Sequence, residues 1–220
     1  MTFSLLALDR ETGTLGGAAA TGSLCVGGWV LRGDIRAGLS ASQGAAPSTF
    51  WGEDVLSEMA RGVDAPDAVA HVTGRDHGRA HRQLTALDLR GHTGAFTGAA
   101  NAAAMGSRAL DAGVVAGNLL TSEAVLDAVG DTFGAVAGPM AERLLAALEA
   151  GAAAGSDSRG LQSAALLVLS PDTPPLTLRV DWAESPLAAL RALYEKSRET
   201  PYADWLGSVP VLNDPERGPG

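Results

Sequence analysis

The sequence predicts an α+β fold with mainly antiparallel sheets. Short apolar runs broken by glycine and turn residues open the chain, helical-period segments follow together, and strongly apolar strands return near the end. The order is strands, helices, strands, helices, strands and a helix. A doubly wound parallel sheet would alternate strand with helix throughout, and this order does not.

Thr2 to Leu8, Leu15 to Thr21, Cys25 to Leu31 and Ile35 to Gln43 read as strands, a β-meander. Asp9 to Gly13 (DRETG) joins the first two as a turn, because aspartate hydrogen-bonds its own backbone and glycine takes a positive φ. From Thr49 to Gly62 the spacing of Phe50, Val55, Leu56 and Met59 becomes helical, and a short helix follows from Ala65 to Val72. Gly74 to His81 returns to extended structure. Leu84 to Leu89 and Thr93 to Thr97 form a hairpin around the Asp88 to His92 turn, which contains Gly91.

Gly113 to Leu120 is a buried strand, and Thr121 or Ser122 caps a helix through about Phe133, with Glu123 near its positive end. Pro139 opens a helix from Met140 to Ala150, with Gly151 just past its end. Met140, Leu144, Leu145 and Leu148 share its core face. Leu161 to Leu169 and Leu176 to Trp182 are strands, and Ser185-Pro186 starts a helix with Leu187, Leu190, Leu193 and Tyr194 at helical spacing. One domain spans residues 1–200, and the Pro-, Gly- and Asp-rich tail 201–220 is peripheral or mobile.

A chain of 220 residues, 46% hydrophobic, is long enough for one core without metal or disulfide. Its single cysteine, Cys25, excludes an intramolecular disulfide. A net charge of −9 argues against nucleic acid and against an anionic membrane, both of which need a basic face. With no signal peptide or membrane span in the pattern, the chain reads as cytoplasmic. Exposed sheet edges suit a homodimer. Gly16-Gly17 and the TGAAN run at Thr97 to Asn101 make neither a dinucleotide fingerprint nor a phosphate loop, so no cofactor is expected.

His77 and His81 have the i,i+4 spacing of a metal pair, but Gly78 weakens a helix there and Arg75, Arg79 and Arg82 repel a cation; no metal is expected. Cys25, in an apolar run, reads as a small hydrophobe. Thr2 has more chemistry. With Met1 removed it carries a hydroxyl and a free α-amine with a reference pKa of about 8, nucleophile and base in one residue. It also simply follows an initiator methionine. In GSDSRGLQSAA, from Gly155 to Ala165, Asp157, Arg159, Gln162 and Ser163 crowd a loop that runs into an apolar strand. Arg159 could grip a substrate carboxylate with Asp157 orienting it, or the two could brace the loop. Asn118 and Gln43 close other strands and offer amide donors for an oxyanion.

MTFSLLALDRETGTLGGAAATG, HRQLTALDLRGHTGAFTGA, GNLL at Gly117 to Leu120, and above all GPMAERLLAALEAGAAAGSDSRGLQSAALLVLS resemble the bacterial and archaeal family known as domain of unknown function 1028, over residues 1 to about 198. The resemblance implies an Ntn-hydrolase-like fold, two antiparallel sheets between helical layers in a four-layer αββα sandwich. It also implies cleavage of an amide bond by an N-terminal residue, here Thr2. The chain departs from the proteasome-like branch in having no lysine before Lys196; Arg32 and Arg36 are the nearest cations, and an arginine cannot take up a proton. The functional expectation is an amidohydrolase acting on a small amide or peptide, with Thr2 and Asp157 catalytic and Arg159, Gln162, Ser163, Asn118 and Gln43 binding substrate. The alternative is a non-catalytic protein that binds a small metabolite in the same cleft.

Overall fold

A computed structural model describes residues 2–102, 104–155 and 160–219. Among the described residues the fold is mixed α/β, with two antiparallel sheets and seven helices. In chain order the strands are β1 (Thr2–Asp9), β2 (Thr14–Thr21), β3 (Leu31–Asp34), β4 (Gly38–Gly44), β5 (Arg82–Asp88), β6 (Thr93–Thr97), β7 (Gly106–Leu110), β8 (Gly113–Asn118), β9 (Ser163–Leu169) and β10 (Leu176–Val180). The helices are α1 (Val26–Trp29), α2 (Thr49–Ala60), α3 (Ala65–Gly74), α4 (Ala124–Ala135), α5 (Met140–Ala153), α6 (Pro186–Ser197) and α7 (Tyr202–Leu206). One sheet runs β10-β9-β2-β1-β8-β7 and the other β3-β4-β5-β6.

Strand alternation sorts the side chains into separate cores. Phe3, Leu5 and Ala7 of β1 pack with Val125 and Val129 of α4, Leu144 and Leu148 of α5, and Leu190 of α6. Leu6 faces the opposite way and meets Leu15, Leu39, Leu87 and Val114, so this second core joins the two sheets. On the far side of the smaller sheet, Trp51, Val55 and Val69 of α2 and α3 pack on Leu84 and Ala86. Each fully buried leucine in these cores contributes about 1.5–3 kcal/mol.

The β1–β2 turn forms as its residues dictate: Asp9 Oδ1 accepts from the amides of Glu11 and Thr12, and Gly13 sits at φ 67°. Met140, Leu144, Leu145 and Leu148 are buried on one face, as their spacing predicts. The helix carrying them nevertheless runs past Gly151 to Ala153. Gly151 serves packing rather than termination, since a Cβ there would lie 2.6 Å from Val129 and 2.9 Å from the Phe3 ring.

Other expectations are corrected. The Cys25 to Leu31 run is not a strand: Val26–Trp29 forms one helical turn, and only from Leu31 is the chain extended. Short apolar runs do not distinguish the two states, and here the Gly27-Gly28 pair decides, letting the turn sit against Ala165 and Arg179 at distances a Cβ could not tolerate. The next strand starts at Gly38, because Asp34 accepts from the amides of Arg36 and Ala37 in a turn. Gly74 still belongs to α3, and residues 75–81 are turns and a 3-10 helix at Arg79–His81, not extended chain. The fourth helix begins at Ala124, with Glu123 rather than Thr121 or Ser122 at its cap. Edge strand β7 has no apolar alternation to announce it; Arg108 faces Asp127 and Asp131 instead. In the tail, Val211 is buried and the Asn213 amide donates to the Pro171 carbonyl at 3.0 Å.

Candidate functional site

Toward one end of the space between the sheets, polar side chains replace apolar ones. Thr2 pairs with Thr21 on one side and Asn118 on the other, and Thr21 pairs with Ser163. Directly paired residues share a face, so Asn118, Thr2, Thr21 and Ser163 form a polar row across four strands. Across from it, Gln43, Gln83 and Thr97 pair along the smaller sheet.

Gln83 is the hub. Its Nε2 donates to Thr97 Oγ1 at 2.8 Å and, crossing to the other sheet, to the carbonyls of Gly106 and Gly117 at 3.0 Å each. Its Oε1 accepts from Gln43 Nε2 at 2.7 Å and Asn118 Nδ2 at 3.1 Å. Gln43 Nε2 also reaches the Thr2 carbonyl at 3.4 Å, and Thr2 Oγ1 donates to Thr21 Oγ1 at 3.2 Å. Among the described residues Gln43 Oε1, Asn118 Oδ1, Ser4 Oγ and Thr85 Oγ1 are buried with no hydrogen-bond partner. Leaving such an atom unsatisfied costs about 1–3 kcal/mol, so these oxygens are where a water or a ligand donor is favoured.

A pocket of about 550 Å³ opens over this cluster. Thr2, Thr21, Ser23 and Gln43 supply its polar wall; Leu24, Val26, Trp29, Val30, Pro47 and Leu119 supply its apolar wall. Thr2 is only 7% exposed, so the hydroxyl is reached from the pocket rather than from open solvent. A larger groove of about 730 Å³ lies over α2 and α3 and contains none of the sequence-predicted site residues. There Arg82 pairs with Asp76 and covers the Trp51 ring. Burial pushes the Asp76 carboxyl up, but the Gly78 amide, the Arg82 guanidinium and Trp51 together hold it below its ordinary value.

The structure therefore brings Thr2 and Gln43 to one pocket, with Asn118 fully buried behind them and bonded to Gln83. Gln162 and Ser163 do not line it. Gln162 Nε2 donates to the Gly22 carbonyl at 3.0 Å, while Ser163 Oγ donates to the Ser23 carbonyl at 2.7 Å and accepts from the Val26 amide at 3.1 Å. Both hold the segment that forms the pocket wall. Asp157 and Arg159 lie outside the described residues. Of the neighbouring described residues, Gly155 lies against Thr121, and the Gln162 amide donates to the Thr21 carbonyl at 2.8 Å. His77 sits in a turn and His81 ends the 3-10 helix, so no helix face carries both. Cys25 precedes α1 in a left-handed conformation, φ 61°. Sequence reasoning missed Thr21, Gln83, Leu24 and Trp29. Gln83 and Thr85 were visible as polar residues in phase with Leu87 on an otherwise apolar strand.

A family model described as a family of unknown function, DUF1028, matches residues 2–190. The chain belongs to that family. The crystal structure of a DUF1028 protein from Silicibacter pomeroyi superposes on this DUF1028 chain with a TM-score of 0.95 at 56% identity, covering 99% of this chain and 95% of that one. No curated protein matches. Among the described residues no helix is long and apolar enough to cross a membrane.

Proposed function

We propose that the chain is an N-terminal-threonine amidohydrolase of Ntn-hydrolase-like, four-layer αββα architecture, acting on a small amide or peptide. The observation that carries the reading is the place of Thr2, at the start of an interior strand with its side chain in the wall of the 550 Å³ pocket beside Thr21 and Gln43. Helices packed on the outer face of each sheet support the architecture.

With Met1 removed, the Thr2 α-amine takes the hydroxyl proton as Oγ1 bonds to the amide carbon. The C–N bond then breaks and the leaving nitrogen takes that proton, giving an ester at Thr2. Water, deprotonated by the same amine, attacks the ester; the acid leaves as the ester C–O bond breaks and the amine returns that proton to Thr2 Oγ1. The Thr2–Thr21 hydrogen bond holds the attacking oxygen, and Gln43 fixes the Thr2 backbone through its carbonyl. In this reading Asp157 and Arg159 position the substrate. One observation favours the second reading, a binding protein without chemistry: Gln43 Nε2 and Asn118 Nδ2, the side-chain donors assigned to the oxyanion, are both engaged by Gln83.

Intact-mass spectrometry and a panel of small amide p-nitroanilides separate the two. The expected outcome is a mass lacking Met1, cleavage by wild type and Thr2→Ser, and none by Thr2→Ala. Retained Met1, or equal turnover by Thr2→Ala, overturns the hydrolase.

A further inference from the structure

The Thr2 pocket has two unlike walls, and the apolar one is built with unusual firmness for a surface feature. Leu24 and Trp29 line it while remaining 53% exposed each. Scattered exposed apolar residues are ordinary; two of them lining one pocket beside Val26, Val30 and Leu119 are not. Nor does a loose loop explain their exposure. The segment from Gly22 to Val26 is pinned by Gln162 at the Gly22 carbonyl, by Ser163 at Ser23 and Val26, and by the Asp181 carbonyl, which accepts from the Cys25 amide at 3.0 Å. Gly27 lets the following turn lie directly on Ala165 and Arg179. A backbone held from several sides, with its apolar side chains lining a pocket, is a largely preformed recognition surface, because binding has only side chains and not the loop left to order.

We infer that Leu24 and Trp29 form a subsite for a neutral, apolar substituent, aryl or branched alkyl, on an amide whose carbonyl reaches Thr2. This rests on the proposed function for the placing of the carbonyl, but the subsite itself is a matter of binding. Desolvating an aromatic group against Trp29 and Leu24 favours it over an alkyl stub, and a charged group there would lose hydration without gaining a partner from these two side chains.

The test is equilibrium binding to the full chain carrying Thr2→Ala, so that turnover plays no part. The probes are 3-phenylpropionamide, propionamide and succinamate, and their binding is followed by ligand-observed NMR titration, a readout that survives removal of Trp29. The phenyl amide is expected to bind at least about tenfold tighter than propionamide, with succinamate no tighter than propionamide. Trp29→Ala removes that preference, Leu24→Ser reduces it, and Trp29→Phe retains it. Since both side chains are half in solvent, these variants fold, and a native melting temperature confirms it. Equal affinity for the two neutral amides, no saturable binding of either, or a preference untouched by Trp29→Ala overturns the subsite. So does a concentration-dependent dimer abolished by Trp29→Ala, which would make a second copy the occupant. A phenyl preference in a protein whose Thr2→Ala variant loses no activity would sink the hydrolase and leave the subsite standing.

Discussion

Replacing Gln83 by leucine, nearly equal in volume, tests whether its carboxamide organises the site. Gln83 is fully buried; the two Nε2 protons are shared among three acceptors, and Oε1 accepts from Gln43 and Asn118. Leucine leaves Asn118 Nδ2 unpaired and Gln43 Nε2 with only its long contact to the Thr2 carbonyl, at up to about 1–3 kcal/mol each, so the expected loss is about 2–6 kcal/mol. Set against the usual 5–15 kcal/mol of a domain, that is large. Urea denaturation measures it, as a lowered midpoint with an unchanged slope if the native state stays compact. The asymmetry of hydrogen-bond energetics supplies a sharper check. Adding Gln43→Leu removes one stranded donor together with its own unpaired oxygen, so the double variant is expected to be more stable than the Gln83→Leu single variant. A loss below about 1 kcal/mol for Gln83→Leu, or strictly additive losses in the double variant, would refute the hub.

Gly151→Ala gains helix propensity, about 1 kcal/mol, but its methyl meets Val129 and Phe3 at 2.6 and 2.9 Å, so a net loss of up to about 2 kcal/mol and a lower melting temperature are expected. Asp88 gives a pH signature. Burial raises its carboxyl, but the amides of His92, Arg90 and Ala65 and the His92 ring outweigh that and hold it below its ordinary value. A depressed folded-state pKa contributes stability that is present above the unfolded value, about 3.9, and is lost as pH falls through the folded one. Denaturation of wild type and Asp88→Asn should therefore show a gap that is full at neutral pH and narrows below about pH 4.

Elements with strong local chemistry were legible. The DRETG turn, the α5 core face and the β5–β6 hairpin follow from residues within a few positions of one another. What escaped is what depends on pairing. Thr21 is an unremarked strand end until register puts it beside Thr2, and Gln83 is one polar residue among many until three other strands bring Gln43, Asn118, Gly106 and Gly117 around it. Trp29 was hidden by a wrong state: read as a strand, Cys25 to Leu31 would alternate its side chains between core and solvent, whereas one helical turn points Val26 inward and sets Trp29 in the pocket wall. Gln162 and Ser163 were found by position, yet their bonds run to the backbone of Gly22, Ser23 and Val26.

The inter-sheet layer assigns different work to its two ends along the same strands. On β1, Leu6 joins Leu15, Leu39 and Leu87 in an apolar core, while Thr2 lies in the polar row. Apolar contact is strong but non-directional, so it holds two sheets together without fixing their offset to a fraction of an ångström. Hydrogen bonds are weak in net energy but strict in geometry. Gln83, reaching from the smaller sheet to carbonyls of β7 and β8, fixes that offset where Thr2 sits. The unpaired oxygens of Gln43, Asn118, Ser4 and Thr85 fall in this same layer rather than among the leucines. Leucines continued to the edge would add non-directional contact only; the polar frame adds strict geometry between the sheets at the end where Thr2 lies.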